Sequence, residues 1–321
     1  MPELAPEIER MERRIGNVLT EWNVPGASVA VFSNKAPVLV RGYGTTVAGK
    51  DNPVDEDTRF PIGSLTKAFI AAAVGLLVGD GKLFWDDPVR TILPEFALAD
   101  RWVSDTVTIR DLLSHRTGLG RAIRLMWKDV EFDPDDFIRR ARFMQFDRGF
   151  REGFGYANIH YVVAGAIIEA ISGMPWGMFL RERIFIPMGM TSTFATWEDS
   201  LAEGSGTTAM PHANRDGGAV PGALRCLDPV QPIQFESLGR NAAGAMVSTA
   251  RDMAKWLSML LHKGVYDGRT ILPPEVVDEC LAMHVPIRQE KSDLRFIRDM
   301  GADTTLMGYG LGWYLTGYRN T

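Results

Sequence analysis

Read for its alternation of apolar and polar positions, the chain opens on a helix. Ile8, Met11, Ile15, Val18 and Leu19 recur at helical spacing over residues 7–22. Residues 26–32 and 37–42 follow as two strands around Ser33-Asn34-Lys35, so a helix and then a hairpin are predicted. At Ser64 the pattern changes to helices. Residues 64–78 are apolar nearly all round, which predicts a buried helix, 108–117 start at Thr108 and end before Gly118, and 134–143 predict a charged outer helix. Residues 158–172 place Ile159, Val162, Val163, Ala166, Ile167, Ala170 and Ile171 on one face and stop at Gly173, the best-formed amphipathic pattern in the chain.

Between Glu203 and Gly244 the periodicity fails in a stretch rich in Gly and Pro, which predicts a long functional loop and one wall of a cleft. Helices return over 249–263, with Met253, Trp256, Leu257, Leu260 and Leu261 inward, and over 273–283, and residues 310–318 read as a strand. The order predicts an α/β (α+β) fold. Residues 1–60 and 245–321 would form a discontinuous α/β region with an antiparallel sheet, and 61–244 a helical region. Three strands make a thin sheet and residues 313–318 have no following hairpin partner, so the expectation is a chain cut short within its sheet.

Composition narrows the function. With 321 residues, 45% hydrophobic and 23% charged, the chain can bury a sizeable core. The formal net charge of −5 comes without runs of like charge, so nothing directs the protein to nucleic acid or to an anionic membrane surface, and a small-molecule substrate is expected. Cys226 and Cys280 are too few for a disulfide framework. The opening MPELAPEIERMERRIGNVL is charged where a signal peptide is apolar, and no stretch reaches the roughly 18 apolar residues of a membrane span. A soluble, cytoplasmic protein is the expectation, periplasmic or secreted if a leader was removed, with the oligomeric state open.

The first candidate chemistry is Ser64-Leu65-Thr66-Lys67. A helix sets residues three apart on one face, so the Ser64 hydroxyl and the Lys67 amine can meet. As a plain N-cap Ser64 is ordinary, but a cation in the first turn opposes the helix dipole where a capping box would place Glu or Gln. Desolvation at the mouth of an apolar helix would lower the amine's pKa from about 10.4 and turn it into a base for the serine. Thirteen serines and eight lysines would yield about 0.3 such pairs by accident, so this spacing alone is weak.

The second candidate is Tyr156-Ala157-Asn158, in a turn flanked by Gly153 and Gly155 just before the amphipathic helix. A tyrosine beside a cationic lysine ionises more readily and can shuttle protons, whereas Asn158 also fits as an ordinary N-cap and Tyr156 as core filling. Tyr318-Arg319-Asn320 repeats the triplet at the end of the last strand and is discounted there.

Taken together, FPIGSLTKAF (60–69), WDDPVRTILPEF (85–96), TIRDLLSHRTGL (108–119), FGYANIHYVVAGAIIEAISG (154–173), RERIFIPMGMTST (181–193), AAGAMVSTARDMAKWLSMLL (242–261) and GYGLGWYL (308–315) resemble, in order, the serine β-lactamases and penicillin-binding proteins. The likeness is greatest to the class C β-lactamase-like branch with its esterases, D-aminopeptidases and amide hydrolases. The resemblance implies that Ser64 attacks a carbonyl to form an acyl-enzyme, Lys67 activates it, and Tyr156 helps move protons to the leaving group and from water. It implies that Asn158 bonds the substrate amide and steadies Lys67, that the Ser64 N–H is the first oxyanion donor, and that no metal or organic cofactor is needed. Met126 and Trp127 fall where the family lines its cleft, and core packing is an equal reading for them.

The family's third motif, Lys or His followed by any residue and Gly, is expected just beyond GYGLGWYL, past Thr321. His262-Lys263-Gly264 matches the letters but reads as a surface turn, and Arg116-Thr117-Gly118 as a helix end. Gly204-Ser205-Gly206-Thr207-Thr208-Ala209 has a dinucleotide-like glycine spacing without a preceding strand and reads as a loop. The five histidines, at 115, 160, 212, 262 and 284, lack acidic or Cys neighbours at ligand spacing, which disfavours a metal site, and read as surface or packing residues. The expectation is therefore a serine hydrolase of small esters, amides or peptides, β-lactams included. An acyltransferase with the same residues and a non-catalytic scaffold that kept the fold stay open as rivals.

Overall fold

A computed structural model describes residues 5–33, 37–120, 133–204, 206–214, 224–226, 241–287 and 304–318. Helix α1 (Ala5–Glu21) leads into the antiparallel pair β1 (Gly26–Phe32) and β2 (Pro37–Gly44), with Gly26 opposite Gly44 and a register shift at Val31/Phe32. The short strand β3 (Phe60–Pro61) then delivers the chain to α2 (Thr66–Gly79). Helices α3 (Val89–Ile92), α4 (Arg101–Thr106), α5 (Ile109–Leu113), α6 (Pro134–Arg140), α7 (Ile159–Ser172), α8 (Trp176–Leu180), α9 (Ile186–Met188) and α10 (Trp197–Ala202) form the helical part. Strands β4 (His212–Asn214), β5 (Leu224–Cys226) and β6 (Val247–Ser248) come next, then α11 (Ala250–Leu261), β7 (Val265–Tyr266), β8 (Arg269–Thr270), α12 (Pro274–Leu281), β9 (Val285–Pro286), β10 (Thr304–Tyr309) and β11 (Tyr314–Tyr318).

The core is built around α2. Every residue from Thr66 to Leu77 is buried, as a helix apolar on all sides requires. Phe69 stacks on Trp256 of α11 with ring centroids 4.1 Å apart and meets Phe185 edge-on at 6.1 Å. Helix α7 packs directly on α2 and is enclosed more fully than a one-sided pattern implies: Ile159 to Gly165, together with Ile167 and Ile168, are all buried. It ends where expected, at Gly173 with φ +71.

Several sequence expectations change. The predicted helix 108–117 is a five-residue α5, because His115 takes a positive φ of 57° and turns the chain away. Residues 310–318 are not one strand: Gly310–Trp313 form a turn, and β11 pairs with a preceding strand, β10, whose Gly308 and mixed pattern hid it. Strand β10 also pairs with β9, giving a three-stranded antiparallel sheet in the order β11-β10-β9. Within the loop expected over 203–244, β4 and β5 form a small antiparallel pair. Among the described residues no single helix is long and apolar enough to cross a membrane.

Candidate active site

Strand β3 pairs with β6 through Pro61–Val247 and Phe60–Ser248, and this short pair sets the entry to α2. A single 3₁₀ turn, Gly63–Leu65, runs into the helix, with Leu65 at the N-cap and no side-chain cap bond. Thr66 holds the turn by donating its hydroxyl to the Gly63 carbonyl at 2.7 Å. Ser64 is thus not the N-cap that its sequence context also allowed. Its Oγ lies 3.1 Å from Lys67 Nζ and 2.7 Å from the Tyr156 hydroxyl, which donates to it.

Lys67 is 1% exposed, and its amine reaches three oxygens. Besides Ser64, Nζ donates to Asn158 Oδ1 at 2.9 Å and to the Ala243 carbonyl at 2.6 Å. Burial pulls the Lys67 pKa from 10.5 down to about 7, so a neutral amine is accessible near neutral pH. A neutral amine has two N–H groups and one lone pair. With both hydrogens directed to the two carbonyl oxygens, the lone pair is left for the Ser64 hydroxyl. This is the geometry of a base waiting beside a nucleophile.

Tyr156 and Asn158 arrive together from the loop ahead of α7. Asn158 holds the N-cap position but makes no side-chain cap bond, because its oxygen is turned to Lys67 instead. Lys67 Nζ lies 4.9 Å from the Tyr156 ring centroid and 5.5 Å from that of Tyr161. Gly155 is required here by close approach, since a side chain at that position would overlap the Leu119 carbonyl oxygen. From the far end of the chain, Gly312, at φ +86, presses its turn on α2: a Cβ there would lie 2.9 Å from the Lys67 carbonyl oxygen.

Four of the six residues singled out from the sequence, Ser64, Lys67, Tyr156 and Asn158, therefore meet in one cluster. Met126 and Trp127 lie outside the described residues, as does Ser205 of the glycine-rich loop. His262-Lys263-Gly264 stands on the turn between α11 and β7, with Lys263 at φ +53. Three contributing residues escaped the sequence reading. Ala243 acts through its carbonyl, which every residue possesses, so no letter could mark it. His115 and His160, read as surface or packing residues, are buried and joined Nδ1 to Nδ1 at 2.8 Å directly behind Tyr156. Among the described residues no group of three His, Cys, Asp or Glu side chains is arranged to hold a metal ion.

The Beta-lactamase family model matches residues 11–321. The chain belongs to the beta-lactamase family. This beta-lactamase-family chain is 32% identical over 279 residues to the unguisins hydrolase ungD' of Aspergillus campestris (strain IBT 28561), an alignment covering 81% of this chain and 50% of that protein. Its fold is similar to that of the octameric penicillin-binding protein homologue from Pyrococcus abyssi, with a TM-score of 0.77, 26% identity and coverage of 96% of this chain and 64% of that one. It is also similar to D-amino acid amidase from Ochrobactrum anthropi SV3, with a TM-score of 0.67, 27% identity and coverage of 91% and 76%. The chain spans about half the length of the curated relatives it matches. The resemblance to β-lactamases and penicillin-binding proteins read from the motifs thus holds for the family and for the mixed α/β fold.

Proposed function

We propose that the protein is a serine hydrolase that cleaves ester or amide bonds of small substrates through an acyl-enzyme on Ser64. The observation that carries this reading is the arrangement around Lys67, whose buried Nζ lies within hydrogen-bond distance of Ser64 Oγ, Asn158 Oδ1 and the Ala243 carbonyl, so that a neutral amine with its two hydrogens on the carbonyl oxygens turns its lone pair to Ser64. In the first half-reaction Ser64 Oγ bonds to the substrate carbonyl carbon and its proton passes to Lys67. The oxyanion is met by the Ser64 N–H, one of the first-turn donors that a helix leaves without a partner of its own. Collapse breaks the bond to the leaving group, which takes a proton from the Tyr156 hydroxyl, and the proton held by the Lys67 ammonium is returned to the tyrosinate. Water then repeats the sequence in reverse and releases the acid.

In this proposal the cluster lies at the seam between a strand-bearing region from both chain ends, 1–60 and 245–321, and a helical region, 61–244. Substrates of the relatives, a unguisin in one case and a D-amino acid amide in another, support amide hydrolysis as the first class to screen.

Intact-mass measurement before and after incubation with a fluorophosphonate, followed by peptide mapping, tests the proposal. One adduct per chain on the Ser64 peptide, absent from Ser64→Ala, is the expected result. A parent chain that stays unlabelled at pH 8 would overturn it in favour of a binding or scaffold protein.

A further inference from the structure

The reaction proposed above makes no use of two imidazoles buried behind it. His115 is 0% exposed and His160 1%, and their Nδ1 atoms lie 2.8 Å apart, so one must carry the hydrogen and the other the lone pair. Their surroundings decide which. The Ala157 N–H donates to His115 Nδ1 at 3.3 Å, which makes that nitrogen the acceptor. His160 Nδ1 is then the donor, and its Nε2 accepts the Thr117 hydroxyl at 2.8 Å, while Thr117 Oγ1 itself accepts the Leu119 N–H at 3.2 Å. One direction of hydrogen bonding, from Thr117 through His160 to His115, accounts for these contacts, with the His160 and Ala157 hydrogens sharing the one lone pair of His115 Nδ1; it leaves the His115 Nε2–H buried without a partner among the described residues.

The backbone adds a second hold on the same loop. His115 adopts φ +57, a left-handed conformation that costs a non-glycine residue about 1–2 kcal/mol. In that conformation its carbonyl accepts the Gly155 N–H at 2.8 Å. The peptide N–H groups on both sides of Tyr156, those of Gly155 and Ala157, are thus bound by one residue. The His115 ring also lies against the Tyr156 ring, with centroids 4.6 Å apart.

We infer that His115 and His160 form a tautomer-fixed positioning clamp that sets the Tyr156 hydroxyl on Ser64 and the Asn158 oxygen on Lys67; this role rests on the hydrolase reading above. Both rings are held neutral. Burial is the main cause for each, with the neighbouring imidazole and Lys67 adding for His115, and Lys67 adding for His160, whose pKa falls to about 3. The groups facing the pair are Lys67 from α2, Asp111 from α5, Tyr156 from the loop, Tyr161 from α7 and Tyr309 from β10. A fixed neutral pair places no second cation beside the base, and it acts on the reaction only through Tyr156 and Asn158.

The test compares the rate of Ser64 labelling by a fluorophosphonate in the parent, His160→Phe, His160→Asn and Thr117→Val, each first checked for cooperative thermal unfolding. His160→Phe keeps a ring but loses the donor, and is expected to label about 10–100-fold more slowly, since small misplacements at a reacting centre cost up to about 10². His160→Asn retains an N–H donor near the Nδ1 position and is expected to stay within about threefold of the parent, although it fills the core less well. A purely structural role gives the opposite ranking, and His160→Phe labelling as fast as His160→Asn overturns the clamp. Thr117→Val, nearly isosteric, should slow labelling about 3–10-fold by removing the hydroxyl that orients His160; a parental rate overturns the clamp even if His160→Phe does not fold. Imidazole ¹⁵N spectra of the resting protein separate the two levels of the argument. An Nδ1–H tautomer at His160 and Nε2–H at His115 are expected whatever the reactivity, and reversed tautomers overturn the clamp alone. An unlabelled parent overturns the hydrolase reading and the positioning role with it.

Discussion

Two helix starts in this protein are built to opposite rules. Helix α5 follows the sequence grammar of a stable N-terminus: Thr108 accepts the Asp111 N–H, Asp111 returns a bond to the Thr108 N–H, and the pair forms a complete capping box. Asp111, with its side chain fully buried, also receives Arg116 at 2.5 Å and Arg151 at 2.7 Å. Helix α2 does the reverse. Its N-cap is a leucine with no cap bond, and the first turn holds a buried cation-forming lysine where a carboxylate would be favourable. The first arrangement stabilises the fold and the second works against it, which is where a functional site is expected to break local rules.

The largest expected effect would break or sustain that contrast at Lys67. Lys67→Met should slow Ser64 labelling by about 10²–10⁴-fold, the range for loss of a positioned base. The parent's labelling rate should fall about tenfold per pH unit below pH 7 and level off above it, because the Lys67 amine must be neutral and its pKa is about 7. A flat profile from pH 5 to 9 would remove Lys67 as the base.

Next in size, Asp111→Ala should cost about 2–3 kcal/mol in denaturant unfolding, since it leaves the buried Thr108 N–H unpaired and removes the partner of two partly exposed arginines. Burial alone would raise the Asp111 pKa, but the hydrogen bonds from Arg151, Thr108 and Arg116 outweigh it and leave it lowered. A carboxylate with a lowered folded pKa contributes stability that is present above the unfolded value near 3.9 and lost as pH falls through the folded one. The difference between parent and variant should therefore shrink below about pH 4.

Lys67 carries the opposite sign. With its pKa lowered from 10.5 to about 7, keeping it neutral costs about 4–5 kcal/mol at pH 7. Its hydrogen bonds offset part of this, so Lys67→Met should raise stability by about 1–2 kcal/mol at pH 7. That gain should vanish towards pH 10.5, where the unfolded lysine is neutral too, and a destabilised variant at pH 7 would refute the contrast. The smallest effect is Thr108→Ala, expected to cost about 1 kcal/mol while leaving the labelling rate at the parental value.

The same contrast explains what could be read from the sequence. Helices α2 and α7 were legible because long apolar runs fix type and burial together, and Thr108 and Gly173 marked boundaries through their own chemistry. Ser64 and Lys67 were legible because helical spacing brings them together locally. Tyr156 and Asn158 needed the family resemblance, since a Tyr-x-Asn triplet occurs twice in this chain; the copy at 156–158 is the one whose tyrosine meets Ser64 among the described residues. The His115–His160 pair joins residues 45 positions apart with no periodic signal, and β10 carries a glycine inside a short, weakly alternating run.

The Ala243 carbonyl that holds the Lys67 amine lies 176 residues further along the chain, and the turn at Gly312 that rests on the Lys67 backbone lies further still. On a ribosome, Ser64 and Lys67 emerge long before these partners exist. Until then the amine stays hydrated, protonated and unable to draw a proton from the serine. The nascent protein is thus chemically quiet, and its nucleophile is armed only once the segments carrying Ala243 and Gly312 have closed over it.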